Sequence, residues 1–374
     1  MSVLTTWLYV DITGFDMRLA FGQLQAGVRG GVNTAEAPFL RELEQLPGIT
    51  VKTFRYGRDG ERTSDIARVF SLLLDLALFA SFLRRYKPNI VHLNSAFDRK
   101  AILRDMGYVI VARLFGSRIF LKYHGSEGSL LLSGKFPWTS LGRFCVRGVA
   151  GVGVLSGEEK RNFEIAGHPS ARIFRVKNAV DCPAFRGGGQ RQRGGIQLLF
   201  ISRFIPTKGL VESIEAMSHI IPSRPDVKLV CVGDGPDRPI AEALVHRLGL
   251  ESAVRFAGQI SEQEARAYYA TSSILIFPTY HDEGFPMVVF QSLAAGLPII
   301  TTRIRAAADY LEQPANCIWV PPRDPRALAE KVLYMLENPK LMQDMSTNNS
   351  ALAELFSPPI VAQEYLDIYR RICS

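Results

Sequence analysis

Short apolar runs alternate with amphipathic stretches along the whole chain. The runs are rich in β-branched residues and lack strict polar alternation, which is typical of strands buried on both faces of a parallel sheet. Strand–helix–strand repetition implies parallel sheets with right-handed crossovers. The pattern predicts strands at Trp7–Ile12, Ile49–Arg55, Ile90–Asn94, Arg118–Tyr123, Gly151–Ser156, Arg172–Lys177, Gln197–Ser202, Val227–Gly233, Val254–Ala257, Ile274–Phe277, Ile299–Thr301 and Cys317–Val320.

A Gly- and Arg-rich stretch without periodicity, residues 182–195, divides this pattern and is predicted to be a linker. Because 374 residues exceed what one hydrophobic core usually supports, we expect two domains. Residues 1–181 and 196–357 are each predicted to form a doubly wound, Rossmann-like α/β domain, and residues 358–374 a helix packing back toward the N-terminal domain. Ligands of open α/β sheets bind beyond the carboxyl ends of the strands, so the predicted site is an interdomain cleft.

The most apolar stretch, Val69–Leu83, is fifteen residues long and has Asp75 at its centre. A membrane-spanning helix needs about 20 apolar residues. The stretch is therefore predicted to be a buried core helix. The N-terminus lacks the pattern of a signal peptide, and the five cysteines are odd in number and widely spaced, which favours reduced thiols in a cytoplasmic protein.

Charge is distributed unevenly along the chain. Residues 1–178 carry 25 Lys and Arg against 15 Asp and Glu, a net charge of +10, whereas the remaining residues carry 19 against 21, a net charge of −2. The first half is therefore expected to meet an anionic partner, such as a phosphorylated substrate or the inner face of an acidic membrane. A nucleic-acid partner is not favoured, because no module of interleaved aromatic and basic residues is present.

Two cations follow the first strand of the second half. In "SRFIPTKGL", Arg203 and Lys208 lie in the loop before the next helix, where they could hold a polyanion; a pair of plain surface cations is the alternative. The next strand ends in a sharp turn at Gly233 and Asp234, where a ligand could approach the backbone. Both loops follow strand ends, so the sequence indicates an anion site at that edge.

An acidic residue precedes the apolar helix in "YHDEGFPMVVFQSLAAG". The free amides of this helix carry positive partial charge and could bind a diphosphate. Glu283 would repel phosphate, so it fits better as an acceptor for sugar hydroxyls. Asp282 and Glu283 could equally do no more than complement the helix dipole. Local physics leaves both interpretations open.

The order of motifs from Ile196 to Thr302 resembles the retaining GT-B glycosyltransferases of family 4. The motifs are "SRFIPTKGL", "KLVCVGDGP", "VRFAGQIS" and "FPTYHDEGFPMVVFQSLAAGLPIIT"; the last is similar to the E-x7-E signature of that family. The first half agrees more loosely through "RGGVNTAEAPFLREL", "KPNIVHLN", "FLKYHGSE" and "VKNAVD". The resemblance covers almost the whole chain and implies a GT-B fold.

The resemblance also implies roles for individual residues. Arg203 and Lys208 match the cations that bind the diphosphate, and Glu283 matches the residue that binds the donor sugar, helped by the backbone of Gly284 and Phe285. His124 matches a histidine at the sugar end of the cleft, although a lone histidine after a strand is more often structural. The further implied donor contacts are Gly30, Gly31, Gly233, Asp234, Gln259, Ile260, Met287, Val288 and Gln291.

The chain departs from the family signature at its second acidic position, which is Gln291. In the family this carboxylate is taken to bind ribose hydroxyls. Glutamine keeps an acceptor oxygen, loses the charge and gains two donors. We therefore expect weaker or retuned donor binding rather than an inactive enzyme.

The expected function is transfer of a hexose, with retention, from a UDP- or GDP-sugar to a saccharide or lipid-linked saccharide acceptor, in surface polysaccharide or lipopolysaccharide biosynthesis. The resemblance implies no cofactor and no metal. The rival hypothesis is a catalytically silent nucleotide-sugar sensor or scaffold. An anionic acceptor is expected to dock on the basic first half, with Arg99, Lys100, Lys135 and Trp138 as candidate contacts.

Overall fold

The computed structural model describes residues 16–23, 31–56, 65–96, 98–125, 132, 134, 136–185 and 195–374, without the side chains of residues 31–35, 65–68 and 100. The predicted strand Trp7–Ile12, Gly30 and Lys135 lie outside the described residues.

The N-terminal domain contains a six-stranded sheet in the order β2-β1-β3-β4-β5-β6, in which every pairing is parallel. Its strands are β1 (Met17–Gln23), β2 (Ile49–Arg55), β3 (Ile90–Ser95), β4 (Arg118–Tyr123), β5 (Gly151–Val154) and β6 (Ile173–Arg175). The helices are α1 (Gly31–Gln45), α2 (Asp65–Tyr86), α3 (Arg99–Leu114), α4 (Trp138–Arg147) and α5 (Gly157–Ile165), followed by a 3-10 turn (Ser170–Arg172). Strand β1 was not predicted, since Arg18 and Gly22 interrupt its apolar run.

The C-terminal domain repeats the design with the strand order β12-β11-β10-β7-β8-β9, again all parallel. A short helix, α6 (Cys182–Phe185), lies within the predicted linker. The strands are β7 (Ile196–Ile201), β8 (Val227–Val232), β9 (Val254–Gly258), β10 (Ile274–Phe277), β11 (Ile299–Thr301) and β12 (Ile318–Trp319). The helices are α7 (Leu210–Ile220), α8 (Arg238–Arg247), α9 (Glu262–Thr271), α10 (Met287–Ala294), α11 (Arg305–Tyr310), α12 (Pro325–Leu336), α13 (Pro339–Ala353) and α14 (Pro358–Cys373), with a 3-10 turn (Glu354–Phe356) before the last.

These two sheets confirm the predicted fold class, a GT-B architecture of two Rossmann-like domains. The predicted strands Arg118–Tyr123, Ile274–Phe277 and Ile299–Thr301 have the predicted bounds. Helix α14 crosses to the N-terminal domain and packs against α1, where Tyr365 lies beside Phe39 at 4.6 Å between ring centroids. This contact makes the inner apolar layer of the first domain continuous with the core of the second.

Helix α2 contains the stretch that was predicted to be a buried core helix, but it is buried on one side only. It packs on α3 through one face, but Val69, Phe70, Leu73, Leu74 and Leu78 are 56–70% exposed. The prediction of a fully buried helix is wrong because an apolar composition does not show how many faces of a helix are covered by the rest of the protein. No helix among the described residues is long and apolar enough to cross a membrane.

Candidate functional site

A cavity of about 760 Å³ opens at the carboxyl edge of the second sheet. It is formed by the segments that follow β7, β8 and β9 together with the first turns of α9 and α10. Of the predicted donor contacts, it gathers Arg203, Gly233, Asp234, Gln259, Ile260, Met287, Val288 and Gln291. Parallel strands that end at one edge of a sheet explain why residues up to 88 positions apart share this cavity.

The helices at the cavity begin in different ways. Helix α9 has a capping box, in which Ser261 Oγ accepts from Glu264 N and the Glu264 carboxylate accepts from Ser261 N. Helix α10 begins after Pro286 and has no side-chain cap. Since the first amides of a helix have no intrahelical partner, the start of α10 presents N–H groups to a ligand.

Gln291 lies one turn inside α10 and is buried beside the cavity. Tyr269 Oη on α9 donates a hydrogen bond to Gln291 Oε1 at 2.9 Å. The amide oxygen is therefore partnered, and the amide nitrogen is the group left to meet a ligand. Burial raises the pKa of Tyr269, so its hydroxyl remains a donor at neutral pH.

Lys208 and Glu283 do not line the cavity; they pair with each other beside it, Lys208 Nζ donating to Glu283 Oε1. Two hydrogen bonds connect the loops that carry them. Tyr280 N donates to Thr207 O at 2.9 Å, and Thr207 Oγ1 lies 2.8 Å from His281 Nδ1. A cation and a carboxylate of the predicted set thus form one unit next to the start of α10.

The turn at Gly233 is shaped by packing within the domain. Gly233 has a φ of 132°, and a Cβ there would lie 1.8 Å from the carbonyl oxygen of Ser202. The turn therefore requires glycine because of the neighbouring loop, whether or not a ligand approaches it. Phe285, a predicted donor contact through its backbone, has its ring buried against Phe290 at 3.7 Å between centroids.

The two domains meet directly at two glycines. A Cβ on Gly284 would lie 2.7 Å from both N and Cα of Gly125, which follows β4 in the N-terminal domain. An ion pair and a hydrogen bond from α11 reinforce the junction. Arg305 Nε lies 3.4 Å from Glu158 Oε1, and Asp309 Oδ2 accepts a hydrogen bond from Gly157 N at 2.6 Å. Glu283 is thereby held next to the N-terminal domain.

His124 belongs to a buried polar network at the carboxyl edge of the first sheet. His124 Nε2 lies 2.9 Å from Asn94 Oδ1 and 3.3 Å from Glu36 Oε1, and Lys122 Nζ donates to the same Glu36 oxygen at 2.6 Å. Burial, then the charges of Lys122 and His92, hold the pKa of His124 well below its usual range. The imidazole is therefore neutral. Because both neighbours of Nε2 are acceptors, Nε2 carries the proton and Nδ1 is left as an acceptor.

The predicted acceptor contacts are partly brought together. The Arg99 guanidinium lies 5.8 Å from the ring centre of Trp138, a cation–π contact between the starts of α3 and α4. Lys100 lies on α3 without a described side chain. Gly31 is the first residue of α1. Among the described residues, no group of three His, Cys, Asp or Glu is arranged to hold a metal ion.

Several residues of these sites were not identified from the sequence. Tyr269 contacts Gln291, and Glu36 joins Lys122 to His124. A further cluster lies nearby, where the Asp105 carboxylate accepts from Tyr56, Ser95 and Arg104. Polar residues at the ends of apolar strands, such as "HLNS", were the signal available for this edge.

Two six-stranded parallel sheets that meet at their carboxyl ends define the GT-B class of protein. Residues 184–351 match the family model for glycosyl transferases group 1. The match includes the whole cavity and the Lys208–Glu283 pair.

Several known proteins are similar to this chain in sequence or in fold. An exopolysaccharide phosphotransferase of Streptomyces coelicolor is 24% identical over 215 residues, which are 56% of this chain and 22% of that protein. An alpha-D-kanosaminyltransferase of Streptomyces kanamyceticus is 24% identical over 294 residues, 74% of each chain. The crystal structure of Anabaena HepE in complex with UDP has a TM-score of 0.75 and 16% identity, covering 95% of this chain and 100% of that one. The chain thus spans only about a fifth of the length of the first of these relatives.

Proposed function

We propose that this protein is a retaining glycosyltransferase that moves a hexose from a UDP- or GDP-sugar to a saccharide or lipid-linked saccharide acceptor. The observation that carries the proposal is the cavity at the second sheet, which combines Arg203, Gln291 and an uncapped helix start at one edge. HepE, which shares the fold, binds UDP, and both curated relatives named above are transferases.

The donor is proposed to lie along the cavity with its base at Gln259 and Ile260 and its ribose at Gln291. The Gln291 amide nitrogen would donate to a ribose oxygen, since Tyr269 occupies the amide oxygen. The diphosphate would then reach Arg203 and the start of α10, where a guanidinium fork and free amides both suit phosphate.

The Lys208–Glu283 pair is proposed to receive the end of the donor that reacts. A leaving diphosphate gains negative charge, so Lys208 would transfer its hydrogen bond from Glu283 to phosphate. Glu283 would then accept from sugar hydroxyls. The neutral His124 would accept from a sugar hydroxyl through Nδ1, because the proton on Nε2 is held by Asn94 and Glu36. No cofactor or metal is part of this scheme.

The acceptor is proposed to be anionic and to reach the cleft from the N-terminal domain, past Arg99 and Trp138. Surface polysaccharide or lipopolysaccharide synthesis is the expected setting, and the exopolysaccharide relative agrees with it. The outer faces of α2, α3 and α4 favour an acidic membrane as the neighbouring surface. Their exposed described side chains are largely apolar or basic, and none of them is acidic.

A nucleotide screen tests the donor site. A ligand that binds only the folded protein raises the melting temperature, so UDP, GDP or one of their sugars should do so. Arg203→Gln should weaken that shift, whereas Arg247→Gln, an exposed arginine on α8 away from the cavity, should leave it intact. If no nucleotide raises the melting temperature, the proposal is wrong; if one does, NMR of the product anomer then tests retention.

Vesicle sedimentation tests the membrane surface. The variant Phe70→Ser/Leu74→Ser should bind acidic vesicles more weakly than the natural chain, because it removes exposed apolar area from α2. Ile240→Ser is the control, since Ile240 is comparably exposed but lies on the C-terminal domain. Equal binding by all three proteins would exclude α2 as the contact.

The silent sensor remains the second candidate, because Gln291 lacks the charge of the family signature and Lys208 is already paired. Donor hydrolysis or transfer above background would exclude a silent protein. Nucleotide binding without any turnover across acceptors would favour it.

A further inference from the structure

A second basic cavity lies at the opposite edge of the first sheet. It has a volume of about 500 Å³ and is formed around the amino ends of β4, β5 and β6 and the end of α14. Five arginines line it, each from a different segment: Arg113, Arg118, Arg147, Arg172 and Arg371. We call this cavity the arginine pocket. Strand β4 has six residues, so the pocket lies about 20 Å from His124 at the other end of that strand.

The arginine pocket has few carboxylates to balance its five guanidinium groups, the α-carboxylate of Ser374 being the one group of this kind in its described lining. No Asp or Glu side chain lines it, and none of the five arginines forms an ion pair with a carboxylate among the described residues. Arg118 donates to the carbonyl of Ile372, and Arg371 lies 5.6 Å from the ring centre of Phe174. These contacts orient two of the cations without neutralising them. Like charges gathered in this way repel each other, and an anion between them would relieve the repulsion.

A smaller cavity of about 220 Å³ adjoins the arginine pocket and shares Arg147 and Arg172 with it. His168 lines this smaller cavity and is only 6% exposed, yet its Nε2 has no hydrogen-bond partner. An unpartnered buried polar atom is costly, so a ligand group that reaches it would gain a hydrogen bond. Burial, then Arg147 and Arg143, lower the pKa of His168, which makes the imidazole neutral at neutral pH.

We propose that the arginine pocket binds a ligand bearing a phosphate or diphosphate group, at a site separate from the donor cavity. The guanidinium fork matches phosphate oxygens in a bidentate manner, and several arginines suit a group with more than one negative charge. The volume accommodates a small phosphorylated molecule or a lipid headgroup. The arginine pocket shares no residue with the donor cavity, so this inference does not depend on the proposed donor site. Arg113 and Arg147 do belong to the basic outer faces of α3 and α4.

Calorimetry with inorganic pyrophosphate tests the site. All proteins carry Arg203→Gln, so that binding in the donor cavity is suppressed. Adding Arg147→Gln/Arg172→Gln should weaken pyrophosphate binding by about tenfold or more, since charge-assisted hydrogen bonds are lost. Arg143→Gln is the matched control, because Arg143 lies on the same helix as Arg147 but does not line the pocket. Equal affinity in the double variant and the control would overturn the proposal.

The melting temperature of the ligand-free protein provides a second test. The double variant should melt at the same temperature as the natural chain or higher, because repulsion is reduced, whereas arginines with a structural role would give a lower value. If the double variant folds poorly, the single variant Arg113→Gln replaces it. This variant is also expected to weaken pyrophosphate binding.

Vesicles distinguish the two sources of phosphate. Sedimentation with phosphatidic acid in phosphatidylcholine that is lost in the double variant would assign a lipid headgroup to the pocket, provided that Arg143→Gln, which removes a charge from the exposed part of the same helix, retains it. Pyrophosphate binding without vesicle binding would assign a soluble ligand. If the protein binds neither pyrophosphate nor phosphatidic acid vesicles through these arginines, the proposed site is wrong. The result of the UDP screen does not depend on either outcome.

Discussion

The two domains share one architecture but treat their polar groups in opposite ways. In the C-terminal domain, Arg203 and the amide nitrogen of Gln291 face an open cavity. In the N-terminal domain, Glu36, Lys122 and His124 are buried and bonded to each other at the equivalent edge. The comparison indicates that most polar groups of the second sheet are available to a ligand, whereas at the edge of the first sheet Glu36 and Lys122 hold each other and leave His124 Nδ1 as the group proposed to meet the sugar.

Their outer surfaces differ as well. Twelve of the eighteen large apolar residues that are exposed among the described residues lie between Val69 and Phe144, and only five lie in residues 195–374. Exposed helices of the C-terminal domain instead carry pairs of opposite charge, such as Arg238 with Glu242 and Lys340 with Asp344. Scattered polar pairs are ordinary for a solvated surface, whereas an apolar and basic layer indicates a partner.

The largest expected effect is on the buried network of the first domain. Lys122→Met should lower the free energy of unfolding by about 3–5 kcal/mol, because the Glu36 carboxylate would be left buried without its cation. Urea denaturation measures the change. The double variant Lys122→Met/Glu36→Gln should recover much of the loss. A loss in the single variant below about 1 kcal/mol would contradict a structural role for the pair.

The next effect concerns turnover in the second domain. Lys208→Ala should reduce the rate of sugar transfer by roughly 10²–10³, the usual cost of removing a main electrostatic donor. Steady-state kinetics measure it, with Lys340→Ala as a control because Lys340 lies on the exposed start of α13. Near-normal turnover in Lys208→Ala would remove the residue from the proposed chemistry.

A smaller effect is expected at Gln291. Gln291→Glu should tighten UDP binding by about tenfold, because Tyr269 would bond one carboxylate oxygen and the other would accept from a ribose hydroxyl with full charge. Isothermal calorimetry measures the affinity. Unchanged affinity would mean that ribose does not contact this residue.

The smallest effect is a pH dependence of stability. The pKa values of His92 and His124 are lowered by burial, so the unfolded chain binds more protons than the folded one below pH 6.5. Stability is therefore complete above about pH 6.5 and falls as the pH drops, by about 1 kcal/mol per histidine between pH 6.5 and 5.5. Thermal melts should show a smaller slope in His92→Gln. An unchanged slope would exclude His92 as a contributor.

Much of the fold was predictable from the sequence. Buried parallel strands are continuous apolar runs, so Arg118–Tyr123 and Ile274–Phe277 were found with their correct bounds. The exposure of α2 was not predictable, because the sequence of an apolar helix is similar whether one face or all of its faces are buried. The seven-residue strand Met17–Gln23 was missed for the opposite reason, since Arg18, Gly22 and Gln23 interrupt its apolar pattern.

The lining of the cavity was partly predictable from the sequence, but the pairing of side chains was not. Most of the predicted donor contacts share one cavity, because loops that follow strand ends converge at one edge. The contact between Lys208 and Glu283 joins residues 75 positions apart, and that between Tyr269 and Gln291 joins neighbouring helices. Such pairs depend on where loops and helices meet in space, which spacing along the chain does not encode.

The meeting of Gly125 and Gly284 has a consequence for motion. Peptide backbone lies against peptide backbone there, with no side chains interlocked across the seam. Separating the domains at this point breaks no side-chain contact between the two glycines, whereas the contacts of Arg305 and Asp309 and the packing of α14 on α1 oppose separation elsewhere. A methyl group added at Gly284 would lie 2.7 Å from the backbone of Gly125, so Gly284→Ala would force the two domains apart at this point.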